Sequence, residues 1–295
     1  MTKNKKQTLY ILAAVLCIAL FAVCIYFVLN PTAAPDVSGG GFDTSADFIK
    51  FMDVGQGDSA LIYSNGYSAV VDMGVPDCAS DIYSDLSKCD INKIDAVVIS
   101  HLHSDHIGAL EKVATDYTVK NLIMPEILSS SIAAAKNSAK LITGYGSASY
   151  NAVAGMNFKV GEAEITILGY YNDKSNENNR SLFTMVEIDE VKFLFTGDAE
   201  TKAEKYILEQ NLKLDCDVLK VSHHGSNTSS SKEFLDATTP EYAVISVGEG
   251  NMYNHPHNVT LEKLKQANAK IYRTDKQGDI TFNVDDGGIK IITEK

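Results

Sequence analysis

A chain of 295 residues, 45% hydrophobic and 22% charged, can bury one sizeable core and lacks the bias of a disordered or fibrous chain. Its formal net charge at pH 7 is −12; Lys3, Lys5, Lys6 and Asp36 contribute +2 within residues 1–40, leaving −14 on the remainder. A domain that acidic is excluded as a general nucleic-acid-coating surface, so a polyanionic substrate would have to be held locally, by metal ions or a small basic patch.

Residues 1–8 read as a basic tail. Leu9 to Leu29 is an uncharged apolar run of 21 residues. At about 1.5 Å per residue it spans roughly 31 Å, matching a bilayer core of about 30 Å. A cleaved signal peptide would carry a shorter apolar region, about 7–15 residues. Pro35, just past Ala34, makes a poor cleavage site, and Cys17 and Cys24 lack the small residues a lipoprotein signal places before them. The run therefore predicts an uncleaved transmembrane helix over 9–29. The positive-inside rule leaves the lysines in the cytoplasm, giving a single-pass protein of the cell membrane with its soluble domain extracellular. Residues 30–46, rich in Pro, Gly, Ala and Ser, read as a flexible linker, and 47–295 as one domain. Beyond the anchor lie Cys78, Cys89 and Cys216; pairing of the first two is left open.

From Asp47 the pattern predicts strands over Phe48–Asp53, Ala60–Tyr63, Ala69–Asp72, Ala96–Ser100, Val119–Met124, Ala163–Leu168, Phe183–Ile188, Lys192–Thr196, Val218–Ser222, Ala243–Val247, Lys270–Arg273 and Ile280–Val284. Helices are expected over Ala79–Lys88, His106–Asp116, Ile132–Leu141, Glu200–Gln210, Lys232–Ala237 and Val259–Ala267, and loops at Ser129–Ser131 and Lys174–Asn179. Asn65-Gly66 marks a tight hairpin. Hairpins early and strand–helix alternation later predict an α/β fold of two mixed sheets with helices packed outside.

Four motifs carry chemistry. Ser100-His101-Leu102-His103-Ser104-Asp105-His106 follows an apolar strand and opens a helix. His101 and His103, two apart on extended chain, point to one side; Asp105 and His106 lie on the turn and can face a second ion. Imidazole and carboxylate suit Zn²⁺ or Mn²⁺. Thr196-Gly197-Asp198 taken alone reads as a plain turn, but a two-metal site needs a bridging carboxylate and Asp198 is placed to supply it. Ser222-His223-His224-Gly225-Ser226 closes another strand. Neighbours on a strand face opposite sides, so one imidazole binds metal: His224 is taken as ligand and His223 as phosphate contact, with the reverse left open. Tyr253-Asn254-His255-Pro256-His257 reads either as a solvated loop or as a rim carrying a substrate-facing or general-acid histidine.

Together with Met52-Asp53-Val54-Gly55-Gln56-Gly57-Asp58, Val71-Asp72-Met73-Gly74, Lys220–Ser226 and Thr228–Ser231, these runs resemble, in order and spacing, the metallo-β-lactamase-type domain of ComEC competence proteins, over about residues 47–293. The chain looks like a stand-alone relative without the multi-helix channel. The resemblance implies an αββα sandwich with the site at the sheet edges. It implies that Asp72, with Asp58, supports the site, that His101, His103, Asp105 and His106 bind metal, that Asp198 bridges, and that the His223/His224 pair completes the second site. The wider superfamily supplies one more histidine before the bridging aspartate; here none occurs between His106 and His223, and Asn178-Asn179-Arg180-Ser181 stands in its place.

The implied activity is phosphodiester hydrolysis by water activated between two divalent ions, Zn or Mn. In this scheme Asp105 orients the nucleophile, His223 or His255 protonates the leaving group, and Asn179, Arg180, Ser226, Ser229 and His257 contact substrate. The first reading is a nuclease acting on DNA, including single-stranded DNA, in company with competence or envelope proteins. The second is the same chemistry on an envelope or nucleotide phosphodiester. The third is a weakly active accessory protein of DNA uptake.

Overall fold

The computed structural model describes residues 46–127 and 147–295. The expected tail, anchor and linker, the loop at 129–131 and the helix at 132–141 lie outside the described residues. Among the described residues no helix is long and apolar enough to cross a membrane.

The chain forms two mixed sheets. The first has the order β15-β14-β1-β2-β3-β4-β5-β6 and the second β13-β12-β11-β10-β9-β8-β7. In the first, β1 (Asp47–Phe51), β2 (Ala60–Ser64), β3 (Tyr67–Val71), β14 (Ile280–Asp285) and β15 (Gly288–Thr293) pair antiparallel. From β3 onward, β4 (Lys93–Val98), β5 (Thr118–Met124) and β6 (Ala148–Asn151) run parallel. In the second, β10 (Val191–Phe195), β11 (Val218–Lys220), β12 (Tyr242–Ile245) and β13 (Lys270–Arg273) are parallel. Antiparallel β9 (Phe183–Ile188), β8 (Ala163–Gly169) and β7 (Asn157–Val160) complete it.

Alternation of side chains along each strand builds the layers. Ile49 and Phe51 of β1, Phe193 and Phe195 of β10, and Tyr242 and Val244 of β12 meet Phe282 between the sheets. The intervening Phe48 faces outward onto α1 (Ala79–Lys88) and α3 (Leu110–Asp116), through Ile82, Leu86, Leu110 and Val113. Leu194, Ala243 and Ile245 face outward onto α4 (Thr201–Glu209), α5 (Lys232–Thr238) and α6 (Asn258–Gln266), through Ile207, Phe234 and Leu264. The result is the helix–sheet–sheet–helix order expected from the pattern.

Several boundaries differ from expectation. The helix expected from His106 to Asp116 is two: α2 (Ser104–Ile107), then α3 after Gly108. The strand expected to reach Ser222 stops at Lys220. β6, β7 and β15 are not among the expected strands. Cys78, Cys89 and Cys216 are buried free thiols; burial pushes Cys78 up to about 12 and Cys89 to about 11.

Candidate metal centre

The candidate residues gather just past the carboxyl ends of parallel strands, where successive strand ends open a crevice. Asp72 follows β3, the His101–His106 run follows β4, Asp198 follows β10, the histidine pair follows β11, and Ser246 follows β12. Two backbone features create the geometry. Gly197 sits at φ +48, and a Cβ there would lie 2.7 Å from Ser100 Oγ and 2.8 Å from Ser181 Oγ, so only glycine lets the β10 loop approach β4 this closely. His223 and His224 are both left-handed, at φ 53 and 52, a conformation that costs an L-residue about 1–2 kcal/mol. The pair therefore lies on a strained turn, and the opposite-faces argument made for a strand does not apply. The turn itself aims His224 inward, where it is buried, and leaves the His223 side chain 20% exposed at the rim.

Two groups of ligand-type atoms share Asp198. His101, His103 and Asp198 form one, and Asp105, His106, Asp198 and His224 the other, with the atoms of each group within 4.8 Å of one another. The two carboxylate oxygens divide between them. Asp198 Oδ1 lies 3.2 Å from His106 Nε2 and 3.7 Å from His224 Nε2, while Oδ2 lies 3.9 Å from His101 Nε2. His224 Nε2 is also 3.4 Å from Asp105 Oδ2, and His101 Nε2 is 3.1 Å from His103 Nδ1.

Behind this layer the ligand atoms are oriented from the far side. His106 Nδ1 donates to Asp72 Oδ2 at 2.8 Å, and His224 Nδ1 donates to the Ser246 carbonyl at 2.9 Å. Both bonds aim Nε2 at the centre. Asp72, itself left-handed at φ 61, also accepts from Ser100 N and Ser100 Oγ, each at 2.7 Å. Asp58 is held by the buried Lys220 ammonium at 2.6 Å and stands 3.2 Å from His224 Nδ1.

The electrostatics follow from burial opposed by close charges. Burial works against a charge on His106, yet the carboxylates of Asp198, Asp72 and Asp58 outweigh it and raise this imidazole well above its ordinary value. Burial likewise opposes a charge on His224, but Asp198 and Asp58 raise it to about 10. Burial would raise Asp198, but His106 and His224 bring it well below the carboxylate range. Asp105, where burial is outweighed by the nearby His224 and His106 imidazoles, falls to about 2. Burial, reinforced by His106, pushes His101 well down. Burial, with the charges of His224 and His223, lowers His255 to about 4.

These residues fit divalent metal ions. His106 Nε2, His224 Nε2 and Asp198 Oδ1 are buried with no hydrogen-bond partner. Buried polar atoms are rarely left so, and a cation at their point of convergence would satisfy all three. Asparagine in place of Asp72 tolerates the left-handed backbone; with its amide oxygen held by Ser100 N, its NH2 takes the place of Oδ2, the acceptor that orients His106. The expected result is roughly 10–100-fold weaker metal affinity with the fold retained, read by competition with a chelating dye.

Other sequence candidates are placed differently. Asn178 stands on the His223 side, its Nδ2 3.5 Å from His223 Nε2, and the Oδ1 atoms of Asn178 and Asn179 are buried without partners. Arg180 is fully buried, paired with Glu177 at 3.0 Å and donating to the Glu126 carbonyl at 2.5 Å, so it braces its own loop. Ser229 Oγ donates to the Ser222 and Ser226 carbonyls. Ser226 Oγ pairs with Thr228, and His257 Nδ1 accepts from Asn227 N; these three shape the histidine turn. His255 remains at the rim, its ring 5.6 Å from that of His223. Reading the sequence missed Lys220, Glu200 and Thr228. Lys220, a lone lysine in an apolar strand, was the available signal. Glu200 Oε1 and Thr228 Oγ1 flank His223 Nδ1 at 3.8 and 3.1 Å; Thr228 opens the run Thr228–Ser231, and no local pattern marks Glu200.

Residues 52–249 match the family model described as the metallo-beta-lactamase superfamily. The chain is 26% identical over 304 residues to ComE operon protein 3 of Bacillus subtilis (strain 168), covering 95% of the chain and 37% of that protein. It is 30% identical over 245 residues to competence protein ComA of Neisseria gonorrhoeae, covering 82% of the chain and 33% of that protein. The chain thus spans about a third of the length of these curated relatives. The solved structure of CmlA, a diiron beta-hydroxylase from Streptomyces venezuelae, superposes with a TM-score of 0.57 at 14% identity, over 81% of this chain and 54% of that one.

Proposed function

The chain belongs to the metallo-β-lactamase superfamily, its domain being of the ComEC competence type, and from this we propose that it is an extracytoplasmic two-metal phosphodiesterase acting on DNA. The observation that carries the two-metal reading is the division of the Asp198 carboxylate, one oxygen toward each ligand group. His101, His103 and Asp198 Oδ2 would hold one cation; Asp105, His106, His224 and Asp198 Oδ1 would hold the other. Zn²⁺ and Mn²⁺ both suit these donors. When bound, such ions lower the pKa of a coordinated water to about 7 and neutralise phosphoryl charge.

The chain's own residues supply the rest. Asp105, ionised down to about pH 2, orients the attacking water. His223, at the rim with Nε2 3.8 Å from Asp198 Oδ2, is held below its ordinary value by burial; it contacts the phosphate, takes up the proton the attacking water gives up and passes it to the leaving oxygen. His255, neutral above about pH 4, flanks that position. The apolar run at 9–29 anchors the domain on the outer side of the cell membrane, beside competence or envelope proteins.

The test is a substrate panel of single-stranded DNA, double-stranded DNA and bis(p-nitrophenyl) phosphate, with Mn²⁺ or Zn²⁺ restored. Metal-dependent cleavage of DNA is the expected result. Cleavage of the small diester alone would replace DNA with an envelope or nucleotide phosphodiester, a substrate the acidic surface would repel less. No turnover with metal bound would leave an accessory protein.

A further inference from the structure

The rim loop before α6 exposes two large apolar side chains beside the metal centre. Met252 is 86% and Tyr253 57% exposed. The loop is held from within. Asn251 Nδ2 donates to the Gly248 and His255 carbonyls at 3.0 and 2.8 Å, and Asn251 Oδ1 accepts from Tyr253 N and His255 N at 3.2 and 3.0 Å. Gly248 N donates to Gln56 Oε1 at 3.1 Å, tying the loop to the first motif. The exposure of Tyr253 is thus a fixed presentation.

The rings form a stack. Tyr253 lies over His255 with centroids 5.7 Å apart and planes 24° from parallel; His255 lies over His224 at 6.3 Å and 27°. A flat ladder therefore runs from the candidate ligand His224 outward and ends on a tyrosine beside solvent. Four cations in and next to the motif runs are committed elsewhere. Lys220 pairs with Asp58, Arg180 with Glu177, Lys202 with Asp173, and Lys263 donates to the Ser229 carbonyl. With a chain charge of −12, the electrostatic attraction that supplies most affinity for nucleic acid is missing. A nucleic-acid strand would need an uncharged source of binding energy, and base–aromatic stacking is the sequence-tolerant one.

We infer that Tyr253, flanked by Met252, is a shelf on which an unpaired nucleobase stacks while the adjoining phosphate enters the metal centre. This rests on the phosphodiesterase reading and specifies it. A paired base offers its face to its neighbours in the duplex and cannot dock there.

The test uses the full-length chain in mild detergent, loaded with Mn²⁺, and two fluorescein-labelled strands of equal length, oligo-dT and an abasic strand with the same number of phosphates. Dissociation constants come from anisotropy at 4 °C with strand integrity checked on a gel; cleavage rates are measured separately. The wild-type chain should bind oligo-dT about 10-fold more tightly than the abasic strand. Tyr253→Ala should abolish that preference, Tyr253→Phe should keep it, and the abasic strand should bind all three proteins equally. A preference that survives Tyr253→Ala, or a wild-type chain indifferent to the bases, overturns the shelf. Tyr253-dependent base preference without strand cleavage would uphold the shelf and remove the phosphodiesterase reading; cleavage without base preference would do the reverse.

Discussion

Replacing Asp198 by alanine is expected to lower turnover of any phosphodiester substrate by roughly 10³-fold or more, because a metal centre stabilises its transition state by several kcal/mol and each 1.36 kcal/mol is tenfold in rate. Asp198 is the one carboxylate common to both ligand groups, so both lose a donor at once. The fold should persist. The backbone N–H of residue 198 still donates to Ser181 Oγ, and His106 and His224, relieved of a counter-charge, can shed their protons. Steady-state kinetics beside far-UV circular dichroism separate the two effects. Full activity in the variant would remove Asp198 from the mechanism.

Phe282→Ala should produce the largest loss of stability from a single core substitution, about 3–5 kcal/mol by the usual cost of deleting a buried aromatic ring. The ring is fully buried between the sheets and meets Phe51, Phe193, Tyr242 and Tyr272 edge-on, with centroids 5.7 to 6.1 Å away. Its neighbours come from strands of both sheets, so the cavity cannot close by moving one element. At roughly 2–4 °C per kcal/mol for a domain of this size, the melting temperature should fall on the order of 10 °C. A shift under about 3 °C would mean that the sheets repack around the gap.

Much of the architecture was legible because buried strands write continuous apolar runs. Val191–Phe195 and Tyr242–Ile245 lie within one or two residues of the expected Lys192–Thr196 and Ala243–Val247. β6 and β7 did not announce themselves: Ala148–Asn151 is almost wholly exposed and Asn157–Val160 mostly so, and an edge strand open to solvent needs no apolar alternation. β15 carried a signal, an Asp-Gly-Gly turn followed by Ile-Lys-Ile-Ile, that went unused. At the site, His101, His103, Asp105 and His106 were readable from spacing because all four lie on one strand-to-turn passage. The position of His224 was readable only as one of two, since the left-handed turn that settles its direction is a backbone conformation no residue type in the pair predicts. Lys220 and Thr228 flank the histidine turn within the motif runs, whereas Glu200 reaches it from the segment after β10, and that convergence is a property of the fold alone.

The same fold in CmlA serves a diiron beta-hydroxylase, so architecture by itself leaves the reaction open, and the reading here depends on two metal ions meeting at Asp198. Metal content per chain tests that most directly. The full-length protein would be reconstituted with Mn²⁺ or Zn²⁺, desalted and measured by inductively coupled plasma mass spectrometry, with His101→Ala and His106→Ala beside it. The account predicts about two ions in the wild-type chain and a clear loss in each variant; a wild-type chain holding no ion, or variants that retain its full complement, would contradict it.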